Sequence, residues 1–346
     1  MRPALFNIEC TSGVSRDWIV VSESSLFKYS MASNTRTESK RRLQRLIDQK
    51  YVLLDGGSAT EMVRLGFKSI DDDPLWSARL LKTNPDAVKQ MHKNFLQAGS
   101  EILDTTSYQA SVQGFVDHLG VDHDTALSLI GQSVDLAREA CRETGCDAVV
   151  AGCVGPYGAV LHDGSEYTGV YAEKMTREEL KTWHRPRVEA LLGHGADMLA
   201  VDTIPVQKEA EAIVDLLSEY PEARAWVCFS CKDGGATCHG ERFSEAVQSV
   251  VQSDQVIGVG VNCTAPDLVS DLLGSVQHLG LRKPVVVKPN SGEEWLPHTG
   301  WIPGSGSLSL DDQVKAWVDH GATWIGGCCR VYPDDIAKMK KELDRL

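Results

Sequence analysis

From Tyr51 onward, short and nearly unbroken apolar runs alternate with longer stretches in which apolar residues recur at helical spacing. The runs are YVLLDGG (51–57), EILDTTS (101–107), AVVAGCVG (148–155), DMLAVDT (197–203), AWVCFS (225–230), IGVGVNC (257–263), VVVKPN (285–290) and TWIGGCC (323–329). A strand with one wet face alternates apolar and polar residues. These runs do not, as expected of parallel strands covered on both faces. Between them the spacing predicts helices over Pro85–Ala98, Asp124–Cys141, Glu178–His194, Val206–Leu217, Ser244–Val251, Ala265–Leu279 and Leu310–His320. A closing helix runs from Asp334 to Leu346. The phrases QAGSEILD (97–104), GHGADMLAVD (193–202) and DHGATWIGG (319–327) each set a glycine between a helix and a strand. Glycine adopts the left-handed conformation that stops a helix there. Eight such strands with their helices predict an α/β fold, a single (β/α)8 TIM barrel. The alternative is a doubly wound open sheet, which normally has fewer strands and a glycine fingerprint after the first; that fingerprint is absent.

Residues 1–38 read differently. The stretch SESSLFKYSMASNTRTES (22–39) is rich in serine, threonine and charge and holds no period. It predicts a flexible N-terminal extension ahead of a barrel domain at 39–346. A helix is expected from Glu38, with Leu43, Leu46 and Ile47 on one face. Its basic residues Lys40, Arg41, Arg42 and Arg45 read as a solvated face.

Charge and composition narrow the function. Lysine plus arginine number 35 and aspartate plus glutamate 48, a net charge of −13. So acidic a chain is a poor match for nucleic acid or an anionic membrane surface, and small-molecule ligands are expected instead. No obligate protein partner is evident. No apolar stretch is long enough to span a bilayer, and Glu9, Arg16, Asp17 and Glu23 interrupt any signal-peptide core. A cytoplasmic location is therefore expected, and with it ten cysteines in the reduced state.

In a barrel the chemistry sits at the C-terminal strand ends. Cys263 ends the sixth run, and Cys328 and Cys329 end the eighth, so all three converge on one mouth. Three thiolates with an open fourth position suit a catalytic zinc ion. The alternatives at this point are three buried cysteines acting as small hydrophobes, or a vicinal disulfide between Cys328 and Cys329. Cys228 and Cys231 lack the second pair that a zinc ribbon needs and read as packing residues. Asp55 and Asp202 end the first and fourth runs. Either they cap helices, or they face a bound ammonium group while the Gly56–Gly57 backbone approaches a carboxylate.

The segments LLDGGSATEM (53–62), WHRPRVEALL (183–192), DTIP (202–205), VNCTAP (261–266), KPNSGE (288–293) and GGCCR (326–330) together resemble the zinc-dependent homocysteine S-methyltransferases. The resemblance covers residues 45–346 and implies the same barrel. By position it implies Cys263, Cys328 and Cys329 as ligands of one zinc ion per chain. It also implies Asp55, Gly56, Thr105, Asp202 and Asn290 as contacts for the amino-acid substrate. Two positions depart from the family: Asp202 stands where glutamate is usual, and Lys288 where tyrosine is frequent. The implied activity is methyl transfer from a sulfonium donor, S-methylmethionine or S-adenosylmethionine, to the thiol of L-homocysteine, giving methionine. Glycine betaine as donor, selenocysteine as acceptor, and a non-catalytic thiol-sensing barrel are the alternatives. In the implied mechanism no catalytic residue acts beyond the zinc-activated substrate thiol.

Overall fold

The computed structural model of the chain describes residues 37–70, 72–296, 300–306 and 309–346. Of the extension expected over residues 1–38, residues 1–36 lie outside the described residues. Residues 37 and 38 already belong to helix α1, which spans 37–47.

Eight parallel strands form the barrel: β1 (Val52–Leu53), β2 (Ile102–Asp104), β3 (Val149–Val154), β4 (Met198–Ile204), β5 (Ala225–Phe229), β6 (Val256–Asn262), β7 (Val285–Lys288) and β10 (Trp324–Ile325). Their order is β1-β10-β7-β6-β5-β4-β3-β2, and a parallel bridge between Leu54 and Ile102 joins the two ends. Each strand falls inside one of the eight apolar runs to within one residue at the ends. The extra strands β8 (Trp295–Leu296) and β9 (Gly300–Trp301) make a small antiparallel hairpin beyond β7.

The predicted helices surround this barrel with small boundary shifts. They are α4 (Pro85–Ala98), α6 (His123–Thr144), α8 (Arg177–Gly193), α9 (Gln207–Leu217), α10 (Phe243–Val251), α11 (Val269–Val276), α12 (Leu310–Asp319) and α13 (Pro333–Leu343). Short 3-10 turns flank α11, where one continuous helix was expected. Short helices also occur, among them α2 (Ser58–Arg64), α5 (Val112–Leu119) and α7 (Tyr157–Leu161). The α4 helix shows why ends fall where they do. Asn84 accepts a hydrogen bond from Ala87 N, Pro85 opens the first turn, and Gly99 closes it at φ 106°. Gly195 and Gly321, in the other two repeated phrases, also have positive φ.

Two buried layers result. One lies between strands and helices. The other fills the barrel with Val52, Leu54, Ile102, Val149, Met198, Trp226, Val286 and Trp324. Leu43 and Leu46 of α1 join this interior layer, so α1 closes the end of the barrel opposite the mouth. Each leucine contributes on the order of 1.5–3 kcal/mol by burial. The basic face of α1 is only partly a solvated face. Arg42 pairs with Asp197, a fully buried carboxylate just before β4, at 3.1 Å. Arg45 and Lys40 remain about half exposed or more, paired with Asp147 and Glu222.

Candidate active site

The strand ends bring the three cysteines together. Their sulfurs all lie within 4.8 Å of one another, with Cys263 and Cys329 3.6 Å apart. Cys263 follows β6 with φ 48°, a left-handed conformation rare outside glycine, which turns its side chain across the mouth. Its N–H donates to Lys288 O at 2.9 Å. Cys328 N–H donates to Pro289 O at 2.7 Å, and Ser291 N–H to Cys329 O at 3.1 Å. The β7 exit therefore holds both halves of the thiol cluster. The mutual contacts of the three thiols pull Cys263 well below its usual range and push Cys328 and Cys329 up. This cluster can hold a metal ion.

The two glycine pairs serve close packing. A Cβ on Gly56 would meet Val331 O at 2.4 Å, and one on Gly57 would meet Cys328 O at 2.5 Å. On Gly326 it would meet Asp55 O at 2.6 Å. The Asp55-Gly-Gly turn thus lies directly on the turn that carries Cys328 and Cys329.

Below the sulfurs is a buried acidic cluster. Asp55 Oδ2 accepts from Asp104 N at 2.8 Å. Asp202 Oδ1 accepts from the Trp226 indole at 2.7 Å, and its Oδ2 accepts from Lys288 Nζ at 3.1 Å. Lys288 also pairs with Asp104 and lies 3.7 Å from Asp55 Oδ1. Burial pushes Asp55 up to about 7 and Asp202 up to about 8, and pushes Lys288 down. Thr105 ends β2 with its hydroxyl committed to Ser107 Oγ and Cys153 N, at 2.7 and 2.9 Å. Asn290 shapes the turn after β7, where its Oδ1 accepts from Gly292 N at 2.9 Å.

A model of the homocysteine S-methyltransferase family matches residues 52–343. The chain belongs to this family. A betaine-homocysteine S-methyltransferase of Drosophila melanogaster is 41% identical over 86% of this chain and 96% of its own length. The homocysteine S-methyltransferase of Escherichia coli K12 is 42% identical, over 86% and 97% respectively. The oxidised form of an Escherichia coli homocysteine methyltransferase superposes with a TM-score of 0.75 at 41% identity, covering 88% of this chain and 99% of that one. Its metallated form gives 0.74 at 40%, covering 85% and 96%. The chain is thus a homocysteine S-methyltransferase, as its sequence motifs implied.

Sequence reasoning did not single out the roof over the thiols. The segment between β3 and α8 carries Tyr167, whose hydroxyl lies 3.0 Å from Cys263 Sγ. Beside it, Glu166 Oε2 is buried with no hydrogen-bond partner, and burial pushes this carboxyl up to about 7. Tyr108 lies within electrostatic reach of Glu166, Cys263 and Cys328 and packs edge-on against Trp76, with centroids 6.0 Å apart. Trp76, like Cys263 and Thr203, has positive φ, at 48°. Such conformations persist where surrounding contacts over-determine them. Asn262 provides such contacts for Thr203. It accepts from Thr203 N at 2.5 Å and donates to Thr203 Oγ1 at 3.0 Å. Asp104 and Lys288 were visible as strand-end residues, but no sequence signal paired them. Among the described residues all cysteines are free. Cys228 packs inside the barrel and Cys231 in the outer layer, so this pair forms no joint site.

Proposed function

We propose that this enzyme moves a methyl group from a sulfonium donor to the thiol of L-homocysteine, with one zinc ion held by Cys263, Cys328 and Cys329. The observation that carries the proposal is the thiol cluster. Sulfurs about 2.3 Å from zinc sit about 3.8 Å apart in a tetrahedron, and Cys263 and Cys329 are 3.6 Å apart. Among the described residues no fourth histidine, cysteine or carboxylate joins the group, which leaves a coordination position for substrate. Bound there, zinc supplies Lewis acidity that favours the thiolate form of an acceptor thiol.

The chain's own groups do the rest. Asp55 presents Oδ1, which has no hydrogen-bond partner and lies 3.7 Å from Lys288 Nζ, toward the acceptor's amino end. The DGG turn and the Thr105 and Asn290 turns shape the acceptor's other walls. Tyr167 holds Cys263 by its hydroxyl and, with Tyr108 and Trp76, offers aromatic surface to a cationic donor. Glu166 adds a carboxyl group whose buried Oε2 has no hydrogen-bond partner. S-Methylmethionine and S-adenosylmethionine both carry an α-ammonium group beside the sulfonium, which this group favours. Betaine, with one cation and one carboxylate, is net neutral, whereas the sulfonium donors, with two cations and one carboxylate, are net cationic and better matched to an acidic roof. In the displacement, anionic sulfur meets cationic sulfonium and both charges diminish, so a pocket shielded from water favours the step.

The test measures zinc per chain in reduced protein and methionine formed from homocysteine with each of S-methylmethionine, S-adenosylmethionine and betaine. One zinc per chain and methionine from a sulfonium donor are expected, with loss on chelation and recovery on zinc addition. Turnover that survives in metal-free protein refutes the zinc assignment. Turnover with betaine alone refutes the donor, and would match the name of the Drosophila relative.

A further inference from the structure

The acceptor pocket already contains an ammonium group of its own. Lys288, at the end of β7, is 2% exposed. Its Nζ pairs with Asp104, lies 3.1 Å from Asp202 Oδ2 and 3.7 Å from Asp55 Oδ1, and faces the Trp226 ring at 5.3 Å. The other oxygen of Asp202 takes the Trp226 indole proton at 2.7 Å. A free ammonium placed before Asp202 Oδ2 would therefore meet a tethered one. What remains for a substrate amine are Asp104 Oδ1 and Asp55 Oδ1, both buried without a hydrogen-bond partner, the latter 3.7 Å from Lys288 Nζ.

We propose that Lys288 stands in for the acceptor's α-ammonium, so that the enzyme also methylates thiols lacking that group, ω-sulfanyl carboxylic acids such as 4-sulfanylbutanoate. This rests on the reading of the site as a thiol-methylation pocket given above. A pocket built around a substrate's own polar group rejects the analogue without it, because its buried partners are left unpaired. Here Lys288 stays in place whichever acceptor binds, and Asp104 and Asp202 keep their partner. Homocysteine remains an acceptor through Asp55 and Asp104. The chemistry is unchanged. The acceptor thiol gives its proton to solvent, a bond forms from its sulfur to the methyl carbon, and the donor's bond to that carbon breaks. The electron pair stays on the donor sulfur, which becomes a neutral thioether.

The experiment compares kcat/KM for L-homocysteine and 4-sulfanylbutanoate at a fixed sulfonium donor, using the zinc-loaded full chain. Proteins that recognise a substrate only through such a group discriminate by about 10⁴–10⁵. Here a ratio below about 10³ is expected, and a higher one overturns the proposal. Lys288→Met should raise the ratio at least tenfold, and an unchanged ratio overturns the role of Lys288. Because Lys288→Met leaves carboxylates without their cation, a Lys288→Met/Asp104→Asn double variant is measured beside it, with folding checked by circular dichroism. If neither variant folds, the wild-type ratio decides. If wild type methylates neither thiol, the underlying functional reading fails instead.

Discussion

Replacing Trp226 by phenylalanine isolates the contact that fixes Asp202. Trp226 is fully buried in the barrel, donates to Asp202 Oδ1 at 2.7 Å, and packs edge-on against Trp324 at 5.9 Å. Trp226→Phe keeps an aromatic face toward Lys288 and Trp324 but removes three ring atoms, the N–H nitrogen among them. A buried carboxylate oxygen that loses its donor costs about 1–3 kcal/mol. The lost ring atoms and the space they leave cost about 2 kcal/mol more. The expected loss is about 3–5 kcal/mol, and for a barrel of this size it lowers Tm by about 5–8 °C. Thermal denaturation of both proteins at one scan rate measures it. The same substitution in an Asp202→Asn background should cost about 1–2 kcal/mol less, because a neutral amide needs the donor less. A Tm within a degree of wild type would show that the indole–carboxylate bond stabilises nothing. An equal loss in both backgrounds would place the whole effect in packing.

The remaining predictions concern the strand junction beside the thiols and the acid limb of stability. A Cβ added to Gly260 in β6 would lie 1.8 Å from Val286 O in β7, a backbone atom that cannot swing away. Gly260→Ala should cost more than about 4 kcal/mol or abolish soluble expression; a variant with wild-type Tm would refute this reading of the β6–β7 junction. His92 is fully buried in α4, neither ring nitrogen has a hydrogen-bond partner, and burial pushes its pKa down to about 3. Below its ordinary value of 6.5 the unfolded chain takes up a proton that the folded chain refuses, so this stability is complete above pH 6.5 and drains as pH falls toward 3. The loss is about 1.4 kcal/mol at pH 5.5. His92→Leu should remove about 1.2 kcal/mol from the change in urea-unfolding free energy between pH 7 and 5.5, and an unaltered change in the variant would sink the assignment.

Much of this architecture can be read from the chain because parallel strands covered on both faces leave continuous apolar runs, and because αβ turns demand glycine at Gly99, Gly195 and Gly321. The thiol cluster can be read for a related reason. A residue that ends a barrel strand must face the mouth, wherever it lies in the chain. What could not be read depends on register and on loops. The amphipathic face of α1 announces a buried side but not that it closes the barrel floor with Leu43 and Leu46. Tyr167 lies in a segment of short helices and turns, where no apolar period places a side chain. Lys288 meets Asp104 across 184 residues and Asp202 across 86. Strand position placed Asp202 at the mouth, but only the barrel's closure reveals that a lysine and an indole already occupy its oxygens.

These long-range contacts make the sulfurs and the carboxylates one unit. Lys288 contributes its side chain to Asp104 and Asp202 and its carbonyl to Cys263 N. Asn262, one residue before Cys263, clamps Thr203, one residue after Asp202, and reaches Cys328 Sγ at 3.9 Å. The strained backbone at Thr203 and Cys263 is therefore held from both sides, by β4 and by β7. A change that moves the acidic cluster must also move the thiols, because no flexible segment separates them. Asp202 and Lys288 lie in direct contact. Their substitutions are for that reason expected to be strongly non-additive, in stability and in acceptor choice alike.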